Sequence, residues 1–245
     1  MLRFFRDLDA REWQVPSRAP GWRVQDVLAH IGSSCKAVFT PSLLKLITSR
    51  DIESTNDVFV AQWRDRSPLQ VLTEYERWSK RVIALAGCLL RTPAYRLRIP
   101  LAELGRFPAG LVLTGAMVFD HHTHLRHDIA PALGRTAPAT DAVRMEAILE
   151  WMFAVLAKQL QSARSNWLTR SIAITLNGPG GGTWHIQPGG LVTAAPAHDA
   201  VAEIAGLASE FPEWATRRAA WREYDVRITG DVDFAALFLD QVNVI

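Results

Sequence analysis

Apolar residues recur at helical spacing over the first two thirds of the chain. In Val24–Phe39 the positions Val27, Leu28, Ile31, Cys35 and Val38 share one face, as a helix with one buried side requires. Ser67-Pro68 predicts the start of a second helix. The serine serves as N-cap, and the proline sits at the first helical position, where its missing N–H costs nothing. That helix carries Leu69, Leu72, Tyr75, Val82 and Leu85 and runs to about Leu90. Pro93–Pro108, broken by Pro100 and Gly105, reads as a loop. Ala109–Ile129 reads as a third helix, stopped by Pro131 and Gly134. Thr140-Asp141 caps a fourth, Ala142–Ala163, with Ile148, Trp151, Met152, Val155, Leu156 and Leu160 on its apolar face.

The period changes after Asn166. Ser171–Leu176 alternates as a strand does, Gly178–Gly182 is a turn, and Thr183–Gln187 is its return strand. The glycines lie between two strands and lack the GxxxxGK[ST] pattern, so they are hairpin glycines and not a phosphate loop. His198–Ser209 predicts a helix, Tyr224–Thr229 a strand, and Gly230-Asp231 the start of a last helix, Phe234–Gln241. The expected fold class is therefore α followed by α/β. A helical bundle covers residues 1–165 and a small α/β domain covers 166–245, with the boundary near Ser165.

Composition narrows the function classes. With 49% hydrophobic and 21% charged residues, the chain has enough apolar surface for a real core. A net charge of +2, with no dense Lys/Arg stripe, gives no reason to expect nucleic acid. The two cysteines, Cys35 and Cys88, are far apart and fit no finger or CxxC spacing, which points to a reducing compartment. The first residues carry charges throughout and no apolar core of a signal peptide. No apolar run approaches the roughly 18 residues of a membrane span. A cytoplasmic protein with no membrane partner is expected, as a monomer or weak dimer.

Chemistry concentrates in one place. Of seven histidines, four fall within Asp120–Asp128. Residues four apart sit one turn apart on one helix face, so Asp120 pairs with His124, and His124 with Asp128. A metal needs a further side chain from another element. His30, on the first long helix, is the other histidine of the bundle. Two imidazoles and a carboxylate form a common catalytic zinc set that leaves a position open, and the same set accepts nickel, cobalt, manganese or iron. Each residue also has a bland reading, as a surface or satisfied core group. His121, His122 and His127 are expected at the surface or in support of the ligands. Asp128 either accepts a hydrogen bond from His124 and fixes its tautomer, or is a solvated charge near the helix end.

The stretch Pro20-Gly-Trp-Arg-Val-Gln-Asp-Val-Leu-Ala-His30 resembles the PGW-x-V-x-D-V-x-x-H signature of the mycothiol-dependent maleylpyruvate isomerase family, within the DinB-like superfamily. Asp120-x3-His124, then Asp128-Ile129 and Ala132-Leu-Gly134, resembles its second motif. Arg227-Ile-Thr-Gly-Asp231 and Phe238-Leu239 resemble the end of its sterol-carrier-protein-like second domain. The resemblance covers nearly the whole chain. It implies a DinB-like four-helix bundle in which His30, Asp120 and His124 hold a divalent metal, zinc first among the choices. It also implies mycothiol, the actinobacterial thiol, as cosubstrate. The metal would lower the thiol's pKa. The thiolate would then add to a double bond, allow rotation and leave, or pass onto a small electrophile. An arginine of the second domain is implied to bind an acidic substrate or the thiol. Arg217, Arg218 and Arg222 are the candidates.

This chain departs from that pattern in several ways. Met1–Val15 leaves room for a short first helix or none. The acid is Asp120 where the isomerase has Glu. The spacing after His124 is His-x3-Asp where many members have His-x2-Asp, and Ala130 stands where Arg follows Asp-Ile. These differences bear on the isomerase reaction more than on metal binding. Two rivals follow. One is a hydrolase using metal-activated water, separable by its indifference to thiol. The other is a non-catalytic small-molecule-binding member, with Trp184, Trp214 and Trp221 either lining a cavity or packed as core.

Overall fold

The computed structural model describes residues 1–161, 166–195 and 199–244, and divides into two compact units, Met1–Pro138 and Ala139–Ile245. The expected boundary near Ser165 lies outside the described residues. No described helix is long and apolar enough to cross a membrane.

The first unit is helical. Its elements are α1 (Leu2–Arg6), α2 (Val24–Ala37), α3 (Ser42–Thr48), α4 (Ile52–Ala61) and α5 (Pro68–Leu89), followed by β1 (Arg98–Leu101) and β2 (Gly105–Pro108). A continuous helical segment then runs through α6 (Ala109–Leu111), a π turn Val112–Ala116, α7 (Met117–Thr123) and a second π turn His124–Ile129. The first helix is thus short. The proline-rich 93–108 segment is not a plain loop. It contains an antiparallel hairpin in which the Arg98 and Arg106 guanidinium groups each donate to the other residue's carbonyl. The turn is Ala102–Leu104, and Gly105, at φ 109°, opens the return strand.

The core of this unit collects Val24, Val27, Leu28 and Ile31 of α2 with Val71, Tyr75 and Val82 of α5, Trp63, Phe5 and Ile129. The entry to α2 is tightly specified. Gly21 turns the chain at φ 77°. Asp26, buried at the third position of the helix, accepts the Arg23 backbone N–H at 3.0 Å and the Arg23 guanidinium at 2.9 and 3.0 Å. This ties off helix-end donors that would otherwise be orphaned. It also explains the glycine and aspartate of the PGW-x-V-x-D pattern as backbone requirements. At α5 the expected cap is present, with Ser67 Oγ accepting from Gln70 N and Gln70 reaching back to Ser67 N.

The second unit opens with α8 (Ala142–Leu160), capped by Asp141. Its strands are β3 (Ile172–Asn177), β4 (Gly182–Gln187), β5 (Leu191–Thr193), β6 (Ala202–Leu207) and β7 (Arg227–Gly230), with α9 (Phe211–Ala215) and α10 (Val232–Gln241). The sheet order is β5-β4-β3-β6-β7, with β3 and β6 parallel and the other pairs antiparallel. The fourth long helix therefore groups with the sheet. Its Phe153 stacks on Trp184 of β4 at 4.1 Å and on Phe211 at 5.1 Å, which occupies its aromatic face.

The helix expected over 198–209 is a strand. Ala202, Ile204 and Gly206 are buried in alternation, and Ile204 lies between Ile174 and Ile228. The small residues Ala and Gly masked the period of two, and tertiary pairing overrode helix propensity. The first residue of that stretch, His198, lies outside the described residues. The strand expected over Tyr224–Thr229 begins later, at Arg227, after a helical turn at Trp221–Glu223.

Replacing Asp26 with alanine removes the carboxylate that caps α2. Urea unfolding of this variant should show a loss of about 1–3 kcal/mol. A stability equal to wild type would contradict the capping role.

Candidate metal centre

Asp120 and His124 project from the same face of the 109–129 helical segment, where α7 passes into the second π turn. His30 comes from the middle of α2. His30 Nε2 lies 3.2 Å from Asp120 Oδ1, and His124 Nε2 lies 3.4 Å from the same oxygen. The three donor atoms all fall within 4.8 Å of one another. Two imidazole nitrogens and one carboxylate oxygen suit zinc and other borderline divalent ions. The shorter aspartate arm, in place of glutamate, still reaches both rings.

Behind His124 stands Asp128, buried, with Oδ2 2.6 Å from His124 Nδ1. A carboxylate only accepts, so Nδ1 carries the proton, and Nε2 is the nitrogen turned toward Asp120. The sequence left Asp128 between a support for His124 and a solvated charge, and its place is against His124. The π turn His124–Ile129 begins at this histidine. A π turn holds one more residue per turn than an α-helix. With the His-x3-Asp spacing of this chain the carboxylate stays against the ring.

The electrostatics follow from this packing. Burial by itself would lower the His124 pKa, but hydrogen bonds and charge from Asp120 and Asp128 push it up to about 9. Burial would raise Asp120, yet the two imidazoles hold its carboxyl well below the usual carboxylate range. In the metal-free protein the centre is thus a carboxylate clamped by a protonated imidazole, a charge arrangement that a cation can replace.

The surroundings are aromatic. Trp22 lies against His30, with ring centroids 5.1 Å apart, and near His124 at 6.2 Å. Tyr75 of α5 packs against His121 at 5.7 Å. Cys35 of α2 is buried, and burial together with the charge of Asp120 pushes its thiol up to about 12. Cys35 therefore stays protonated and is a poor nucleophile. Of the other histidines in Asp120–Asp128, two are buried and His121 is half-buried. His121 Nδ1 donates to Met117 O at 2.7 Å. His122 and His127 are buried and pack edge to face at 5.6 Å. Burial, then the neighbouring His127 and Arg126, lowers His122 to about 3. Sequence reasoning quoted Trp22 only as part of a motif and missed Tyr75, which read as an ordinary core position.

The arginines belong to the second unit. Arg217, at φ 56°, donates through Nε to Val242 O at 3.1 Å and through Nη2 to Asp240 O at 2.8 Å, tying off the end of α10. Arg218 Nη1 donates to Thr216 Oγ1 at 3.0 Å. Arg222 pairs with both oxygens of Asp240 and covers the Trp221 ring. Trp184 and Trp214 pack with Phe153 and Phe211, as core residues do.

With this geometry in place, comparison with known proteins is informative. The family described as mycothiol maleylpyruvate isomerase N-terminal domain matches residues 1–125. Uncharacterized proteins from two strains of Mycobacterium tuberculosis are each 26% identical over 234 residues, covering 91% of this chain and 83% of theirs. Among solved structures, a mycothiol-dependent maleylpyruvate isomerase superposes with a TM-score of 0.57 at 19% identity, covering 94% of this chain and 88% of that one. A histidine-to-alanine mutant of the same enzyme gives 0.56 at 18% over the same shares. These structures share the fold, a helical first part followed by a sheet-containing second part. The match over 1–125 includes the PGW motif, His30, Asp120 and His124, and it places the chain in the mycothiol maleylpyruvate isomerase family.

Proposed function

We propose that the protein is a metal-dependent, mycothiol-dependent S-transferase or isomerase acting on a small, acidic electrophile. His30, Asp120 and His124 hold the metal. The observation that carries this reading is the convergence of three donor atoms within 4.8 Å, with Asp128 held behind one of them. Support for the thiol comes from the family to which residues 1–125 belong and from the mycothiol dependence of the isomerase whose structures share the fold.

A divalent ion in this position supplies a Lewis-acid centre that favours the thiolate form of a thiol at neutral pH. The residues do the rest. His30 and His124 offer Nε2, and Asp128 keeps the proton of His124 on Nδ1 so that Nε2 has a lone pair to give. Asp120 offsets part of the ion's charge. Three protein donors leave room for an outside ligand, as catalytic zinc sites do. With the Cys35 thiol held protonated, the sulfur nucleophile of this reading is the added thiol and not Cys35. Arg217 and Arg218 are assigned to the substrate's acidic group or the thiol.

Purified protein should carry about one divalent ion per chain, and the His30→Ala/His124→Ala double variant should carry none, by elemental analysis. Turnover of an unsaturated acidic substrate should require both the metal and mycothiol. Turnover unchanged when the thiol is left out would favour the hydrolase reading. A wild-type protein that takes up no ion from zinc, nickel, cobalt or manganese would overturn the metal centre.

Metal affinity should depend steeply on pH. In the metal-free protein His124 keeps its second proton up to about pH 9, and the metal must displace it. Affinity should therefore rise as pH rises, by up to about tenfold per unit between about pH 6.5 and 8.5. Zinc titrations against a competing chelator read this directly, and a flat profile would contradict the proton competition.

A further inference from the structure

The two imidazoles of the centre are held in different ways. His124 has its far nitrogen fixed by Asp128 at 2.6 Å. His30 is equally buried, yet its Nδ1 meets no hydrogen-bond partner among the described residues. The outer torsion of a histidine ring is soft, and ligating histidines ordinarily have the second nitrogen pinned. Something else must set the His30 plane.

Trp22 occupies the position that could do so. Its indole lies against the His30 ring with centroids 5.1 Å apart and planes at 38°, and it also reaches the His124 ring at 6.2 Å and 35°. Trp22 is fixed from both ends. Its backbone is held in the tight turn before α2, where Trp22 N donates to Ala19 O, and Ser17 N donates to Trp22 O at 2.8 Å. At the far end its Nε1–H donates to Asp57 Oδ1 of α4 at 2.9 Å. The chain Asp57–Trp22–His30 thus runs from an exposed carboxylate on one helix to a metal-facing imidazole on another.

We propose that Trp22, anchored by Asp57, is the positioning residue that sets the His30 ring and hence the metal affinity of the centre. It takes the part that Asp128 plays for His124. The inference rests on the metal reading above. It gives the tryptophan of the PGW motif a role distinct from that of Gly21 and Asp26, which shape the backbone. It also gives α4 a link to the centre, although α4 supplies no ligand.

Cobalt binding to the whole protein tests it, read by affinity and by the visible spectrum of the bound ion. Asp57→Ala and Trp22→Phe each break the anchor and should weaken cobalt binding about tenfold, and Trp22→Ala should weaken it further, toward a hundredfold. Asp57→Asn keeps an acceptor and should bind within about twofold of wild type. The Asp57→Ala/Trp22→Phe double variant should lose no more than either single one, because both cut the same link. Trp22→Ala should also change the cobalt spectrum, whereas a purely structural effect would alter the urea midpoint and leave the spectrum of bound cobalt as in wild type. Asp57→Ala lies at the exposed end, so its affinity is readable even if Trp22→Ala folds poorly. Cobalt affinities of Asp57→Ala and Trp22→Phe equal to wild type, or losses that multiply in the double variant, would overturn the positioning role. Failure of the wild type to bind cobalt would overturn the metal reading itself, a different result.

Discussion

Asp120, within 3.4 Å of imidazole nitrogens from two separate helical segments, places a charged oxygen in a half-buried spot. Burying a carboxylate is costly unless positive charge meets it. Here His124, with its pKa raised to about 9, supplies that charge in the metal-free protein, and a cation supplies it better. Much of the first unit can be read as the means of holding these groups together. The Asp26–Arg23 clamp fixes where α2 begins and so where His30 falls. The π turn sets His124 and Asp128 face to face. Trp22 covers the rings from the side.

The same arrangement bears on the proposal of an external thiol. The one buried cysteine nearby, Cys35, is held in its protonated form by burial and by the charge of Asp120. Beside the cation-binding groups, Cys35 is therefore a poor nucleophile. In the second unit, Phe153 stacks on Trp184 and Phe211, Trp214 meets Phe211 edge to face, and Arg217 closes a helix end.

Much of this was legible from residue spacing. The helix over Val24–Ala37, the Ser67-Pro68 start, the Asp141 and Asp231 caps and the glycine hairpin all carry local signals, and local signals survive folding. The i,i+4 relation of Asp120, His124 and Asp128 follows from helix geometry, although the sequence did not show that a π turn begins at His124. What failed was tertiary. Ala202–Leu207 looks helical because alanine and glycine carry little β signal, and only pairing with β3 and β7 makes it a strand. Ala142–Leu160 reads as the bundle's fourth helix because it follows three others, and its sequence carries no sign that Phe153 meets Trp184 and Phe211 of the second unit. The Trp22–Asp57 hydrogen bond joins residues 35 positions apart, beyond any local pattern.

The central claim is that His30, Asp120 and His124 hold a metal that accepts a thiol. X-ray absorption of the zinc-loaded protein, before and after addition of mycothiol, tests it most directly. The account predicts imidazole nitrogen and carboxylate oxygen at about 2.0–2.2 Å, with a sulfur scatterer appearing at about 2.3 Å once the thiol is present. A zinc environment without imidazole scattering, or one that gains no sulfur on addition of the thiol, would contradict it.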